Sequence, residues 1–172
     1  MPIVRSFAGI HPKIPESVWL ADNATVVGDV ELGEEVNVWY GAVLRGDVGK
    51  IRIGARCNLQ DLACVHMTTD ISSAILEEDV TVGHGAIIHG AIVESGALIG
   101  MGAILMDNAR IGAQSLVAAG SLVPLNMVVP PRTLVRGSPA RVVRDLTPDE
   151  IAQGRKSALK YVGLARLHRA AE

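Results

Sequence analysis

The segment "VTVGHGAIIHG" (residues 80–90) carries two imidazoles, His84 and His89, five residues apart. Imidazole ligates metals and exchanges protons near neutral pH, so the pair is a candidate chemical centre. The spacing does not fit one site within one segment. Ligands sharing a face fall three or four residues apart on a helix and two apart on a strand. A third imidazole, His66, lies upstream, with Arg45, Asp47, Gln60 and Asp61 close to it in the chain. Three neutral imidazoles converging on one ion would make a zinc-type site, whereas a single one would act as a general base. Which applies depends on the elements that carry them.

Those elements follow from a repeat. An aliphatic residue recurs every six positions through Leu20, Val26, Leu32, Val38 and Leu44. After three extra residues it resumes at Ile53, Leu59 and Val65. The insertion "MTTDISSA" (residues 67–74) intervenes, and the pattern then runs from Leu76 to Val123 with one shortened step, Ile88 to Val93. A small or β-branched residue usually follows four places later, as at Ala42, Ala63, Ala86 and Ala103. A period of six is neither helical nor a simple strand alternation; it is what short strands joined by tight corners give. Three hexads make one triangular coil, and stacked coils sit about 4.8 Å apart. Glycine often follows the aliphatic residue directly (Gly33, Gly54, Gly83, Gly100, Gly112), and tolerance of positive φ at the corners is its expected role.

The repeat divides the chain into a lead-in (residues 1–19), a β-helix domain (20–145) and a C-terminal helix (146–172). Thr147, Pro148 and Glu150 make a capping box with proline at the first helical position. Ile151, Ala158, Val162 and Ala165 are the expected apolar side of that helix. Composition agrees: of 172 residues 49% are hydrophobic but 3% aromatic, as thin aliphatic layers require. A net charge of −2 without a basic block gives no footprint for nucleic acid or an anionic membrane. No apolar run is long enough to span a bilayer, and the N-terminus lacks a signal-peptide pattern. Two cysteines, Cys57 and Cys64, cannot form a disulfide framework, so a cytoplasmic location is expected.

Hexads three apart share a face, which turns the sequence into a map. Arg45, His66 and His89 each follow the aliphatic residue directly and form one ladder, with His66 under His89. Asp61 and His84 each lie two places after it and form a second ladder at another corner. At about 4.8 Å, His66 and His89 can chelate one ion. His84 lies about 15 Å from His89 along an extended segment and cannot join them. A neighbouring subunit could present its own His84 ladder, and cyclic symmetry would close that contact into a trimer. Arg45 and Asp61, on facing ladders, are expected to pair across the interface. His11 and His168 fall outside the repeat and are expected to be ordinary structural or surface residues. Cys57 takes a small inward position and Cys64 shares no ladder, so neither is expected to be a ligand.

The hexads, with the segment "GSPARVVRDLTPDEI" that leaves them, resemble the hexapeptide-repeat superfamily, whose coil is left-handed. The resemblance implies a mainly β fold: a left-handed parallel β-helix, a triangular prism, followed by a C-terminal α-helix. "LRGD" (residues 44–47), "NLQD" (58–61) and "GHGAIIHG" (83–90) make the chain similar to the γ-class carbonic anhydrase branch. That likeness implies a homotrimer with a metal at each subunit interface, held by His66 and His89 of one subunit and His84 of the next. It implies reversible hydration of carbon dioxide to bicarbonate, with Zn2+ as the ion and Fe2+ or Co2+ as alternatives. Asp47, Gln60 and Tyr161 (in "KYVGLA") are the implied catalytic residues.

Three places depart from the family pattern. Val48 stands where a glutamate follows the motif aspartate, Gly163 where an asparagine follows the tyrosine by two, and the loop at 67–74 offers only Asp70 as a proton-shuttle acid. A weak shuttle would slow turnover while leaving metal binding intact. The competing readings are a hexapeptide acyltransferase using acetyl-CoA, and a metal-binding relative with little or no hydratase activity.

Overall fold

A computed structural model describes residues 1–171. The aliphatic position of each hexad sits in a strand of mostly two or three residues, and successive strands turn rather than fold back. The result is a left-handed parallel β-helix with three columns of inward side chains. One column stacks Val26, Leu44, Val65, Ile88, Leu105 and Val123 in direct register. A second stacks Leu32, Ile53, Leu76, Val93, Ile111 and Val129. The third runs from Leu20 through Val38, Leu59, Val82, Ile99 and Val117 to Val135. Nearly all of these are buried, and the small residues Ala24, Ala42, Ala63, Ala86 and Ala103 fill the corners between them at 0% exposure. Every inward residue removes apolar surface from water while the backbone pairs along the axis, so core and ladder reinforce each other.

The glycines do a different job from the one expected. Gly33, Gly54, Gly83, Gly100 and Gly112 are absent from the positive-φ positions, which fall two residues later at Glu35, Arg56, Gly85, Gly102 and Gln114. What the five glycines meet is the backbone of the next coil. A Cβ would lie 2.7 Å from Ala55 N at Gly33, 2.5 Å from Ala119 N at Gly100, and 2.4 Å from Pro131 N at Gly112. Close coil approach selects glycine there, and the corner strain is carried elsewhere, even by Leu62 at φ 62°.

The ends of the prism are covered. Ile3–Arg5 pairs in parallel with Thr25–Val27 at the first coil, and Ala140–Asp145 returns antiparallel on Thr133–Gly137 at the last. Covering the terminal coils protects edges that could otherwise pair with another chain.

The helix (Pro148–Ala170) begins at the Thr147–Glu150 capping box, and a paired Arg144–Glu150 contact at 2.8 Å adds to it. It lies over Trp19–Leu20, Asn37–Val38, Asn58–Leu59 and Thr81–Val82 on the third face. Gly154, Ala158, Val162 and Ala165 are buried against the prism; Ile151 is only half-buried, and Gly154 takes the place expected of it. The reason is distance: a Cβ at Gly154 would meet Gly96 O at 2.2 Å. Trp39 packs edge-to-face against Tyr161 and His168 of the helix, with ring centroids 5.3 Å and 5.2 Å away, and Trp19 lies against Trp39 and His168. No helix among the described residues is long and apolar enough to cross a membrane.

Gly100→Ala should destabilise the fold by about 1–3 kcal/mol through overpacking against the next coil. Thermal unfolding checks this, and an unchanged midpoint would contradict it.

Candidate metal centre

Strands Cys64–His66 and Ile87–His89 pair in parallel with His66 directly opposite His89. Strand alternation sends Val65 and Ile88 inward at 0% exposure and leaves both imidazoles on the outer face. Their ring centroids are 5.5 Å apart, inclined at 58°. The stacking that the hexad map required is therefore present, set by the register of Val65 on Ile88 in the core.

Carboxylates hold both rings. The long strand Val43–Ile53 contains the extra residues of the repeat and carries Asp47 to His66. Asp47 Oδ1 lies 3.0 Å from His66 Nε2, and Oδ2 accepts from Arg45 Nη1 at 2.5 Å. Burial alone would raise the Asp47 pKa; the hydrogen bonds from Arg45 and His66 outweigh it and hold the carboxyl below its ordinary value. On the coil above, His89 Nδ1 lies 3.1 Å from Asp107 Oδ2. An ionised carboxylate only accepts, so the facing ring nitrogen carries the proton and the other keeps its lone pair.

A second group of residues occupies another edge. His84 Nδ1 lies 2.7 Å from Asp61 Oδ2, both partly exposed. Gln60 is nearly buried; its amide donates to Asn58 Oδ1 at 3.1 Å, and Asn58 donates to Thr81 Oγ1 at 2.8 Å. Gln60, Gly83, His84, Met101 and Ser157 line one surface pocket. Tyr161 leans on Trp39 from the helix, and burial, with the charge of Asp61 added, raises its phenol pKa.

The sequence-predicted residues thus fall into two groups: Arg45, Asp47, His66 and His89 on one, and Gln60, Asp61, His84 and Tyr161 on the other. Among the described residues no three His, Cys, Asp or Glu side chains converge on one position. Within the chain Arg45 pairs with Asp47 and Asp61 with His84.

Sequence reasoning passed over Asp107, together with the hydroxyls of Thr68 and Ser72 that bond to it. Its signal was its offset, two places after Leu105, the same as Asp61 after Leu59 and His84 after Val82.

No family model matches the chain, but it is similar to known proteins. A carbonic anhydrase of Geobacillus kaustophilus is 42% identical over 168 residues, covering 98% of this chain and 92% of its own. Gamma carbonic anhydrase 2 of Arabidopsis thaliana mitochondria is 43% identical over 91% of the chain, which spans 58% of that longer protein. A Bacillus cereus crystal structure, described provisionally as an acetyltransferase, superposes with a TM-score of 0.97 at 38% identity, covering 99% of both chains. The fold and its repeats place the molecule among the hexapeptide-repeat β-helix proteins. Within them, the chain belongs to the γ-class carbonic anhydrase family.

Both cysteines are free. Cys57 is a core residue at 0% exposure, and burial pushes its thiol pKa up to about 12. Cys64 is half-buried on the outer face, in register with Val43 and Ile87. Native Cys57 should therefore resist iodoacetamide at about pH 8 and react once the protein is unfolded. Mass spectrometry of the labelled peptides reads this, and rapid native labelling of Cys57 would contradict it.

Proposed function

We propose that this chain catalyses metal-dependent, reversible hydration of carbon dioxide to bicarbonate at sites between the subunits of a homotrimer. The observation that carries the reading is the division of the imidazoles: His66 and His89 stack on one face, while His84 stands at another edge with its own carboxylate. A neighbouring copy would bring its His84 edge to the His66/His89 face and complete a three-imidazole set. The relatives named carbonic anhydrase support this choice of reaction.

The donor chemistry fits a resident metal. His84 and His89 are each engaged by a carboxylate at Nδ1, which leaves Nε2 as the ligating atom, whereas Asp47 engages His66 at Nε2 and leaves Nδ1. Zinc is the ion proposed, and ferrous iron or cobalt suits the same donors. Such an ion supplies Lewis acidity that activates water toward carbon dioxide at neutral pH.

The chain's own residues bind, orient and move protons. Asp47, kept ionised, accepts hydrogen bonds and so directs a hydroxyl beside His66. Gln60, immobilised by Asn58, offers a fixed amide from the neighbouring edge. Tyr161 keeps its proton across neutral pH and acts as a donor. Arg45 uses Nη1 on Asp47 and has further donors for Asp61 of the next subunit, an interface pair that fixes the trimer. With Val48 and Gly163 in place of polar groups, proton removal is the slow step. The two unpaired cysteines fit a reduced, cytoplasmic setting.

The acyltransferase reading draws on the description of the Bacillus cereus structure. It needs one basic histidine and leaves the second stacked imidazole without a purpose. Metal analysis after anaerobic purification separates the two. Wild type should carry about one metal per chain, and His84→Ala should lose it while remaining trimeric. A metal-free wild type under every loading would overturn the site. Stopped-flow hydration should be slow and rise with added imidazole buffer, as a missing shuttle demands. No activity above buffer would remove the hydratase claim.

A further inference from the structure

We propose that Asp107 is the positioning residue that holds His89 as its Nδ1-protonated tautomer, leaving Nε2 for the metal, with the turn at residues 68–72 as its second anchor. This rests on the metal-site reading above. Asp107 stands one coil above His89 and is 7% exposed. Four donors converge on it. His89 Nδ1 and Thr68 Oγ1 each lie 3.1 Å from Oδ2, the Thr68 backbone N–H donates to Oδ1 at 3.3 Å, and Ser72 Oγ donates to Oδ1 as well. A carboxylate has about four lone-pair sites, so these contacts saturate it.

Two further observations support a built arrangement. Two hydroxyls and a backbone N–H already donate to this carboxylate, so it offers the ring only acceptor oxygens. As an acceptor alone, Asp107 requires the proton to sit on Nδ1 of His89. The residue after His89 is Gly90, at φ +62°, where a Cβ would lie 2.0 Å from Ser72 Oγ and 2.3 Å from Asp107 Oδ1. The absence of a side chain at position 90 is what allows the turn and the carboxylate to close on His89. The turn is itself held by Ser72 N–H donating to Thr68 O at 3.2 Å. The insertion that interrupts the hexads is thus tied to a ligand ring.

Long-range 1H–15N spectra of the metal-free protein read the His89 tautomer directly, and competition with a chromophoric chelator reads zinc affinity. Wild type should show Nδ1 protonated and Nε2 bare at alkaline pH. Asp107→Ala should release the ring into tautomer exchange and weaken zinc binding about 10–100-fold. Asp107→Asn, with one acceptor oxygen instead of two, should fall between them. Ser72→Ala removes one anchor of the carboxylate and should weaken zinc binding by less than Asp107→Ala does. Thermal unfolding and native mass establish that each variant is folded; should the alanine variant fail, the asparagine variant must still weaken binding. Wild type that takes up no zinc overturns the metal-site reading. Wild-type uptake with the tautomer and affinity unchanged in the Asp107 variants overturns this proposal alone.

Discussion

The coil-to-coil backbone hydrogen bonds set every other relation in the molecule. Cys64 N–H donates to Ala86 O at 2.9 Å and Ile87 N–H to Ala103 O at 2.8 Å, and similar bonds continue along the prism. Because side chains alternate, a slip of one residue would turn Val65 and Ile88 outward and both histidines into the core. Burial of the aliphatic columns penalises that slip at every coil at once. The stacked imidazoles are therefore placed by the same force that holds the fold, and no loop has to find them. Glycine at the tight inter-coil positions serves the same end, since any Cβ there would push neighbouring coils apart.

On the proposed reading, a subunit built this way is complete as a fold and incomplete as a site. A prism offers flat faces and corners, and the stacked imidazole pair and His84 stand on separate edges. Closing the proposed site by assembly would use one sequence twice, each chain offering a pair of rings to one neighbour and a single ring to the other. The carboxylates then acquire a common purpose. Asp47, Asp61 and Asp107 each engage one imidazole and fix which nitrogen carries the proton. A triangular prism can hold ligands rigidly only if something beyond the strands restrains the rings, and these three acids provide it.

Much of this was legible in the residues. The period of six gives the columns, and counting hexads in threes places His66 beneath His89. The division of Arg45, His66 and His89 from Asp61 and His84 comes from the same count. Other features needed three dimensions. Glycine has two uses, positive φ and close approach, and periodicity does not separate them; the corners turned out to tolerate Glu35, Arg56 and Leu62. Gly154 was invisible as a contact because a helix approaching Gly96 O leaves no mark on hydropathy. Asp107 was missed because its partners, Thr68, Ser72 and His89, come from an insertion and from a lower coil. Hydrogen bonds across a break in a repeat have no periodic signature.

The central claim is that each metal site is shared between chains, and mixing mutant subunits tests it most directly. Chains carrying His84→Ala keep the stacked pair, whereas chains carrying His89→Ala keep the single ring. Neither alone should bind metal. Co-assembled in equal amounts, the two should regain metal at about one quarter of the interfaces, those where an intact pair faces an intact His84. Mixed trimers that remain as metal-free as their parents would contradict a shared site, and so would full metal loading of either parent alone.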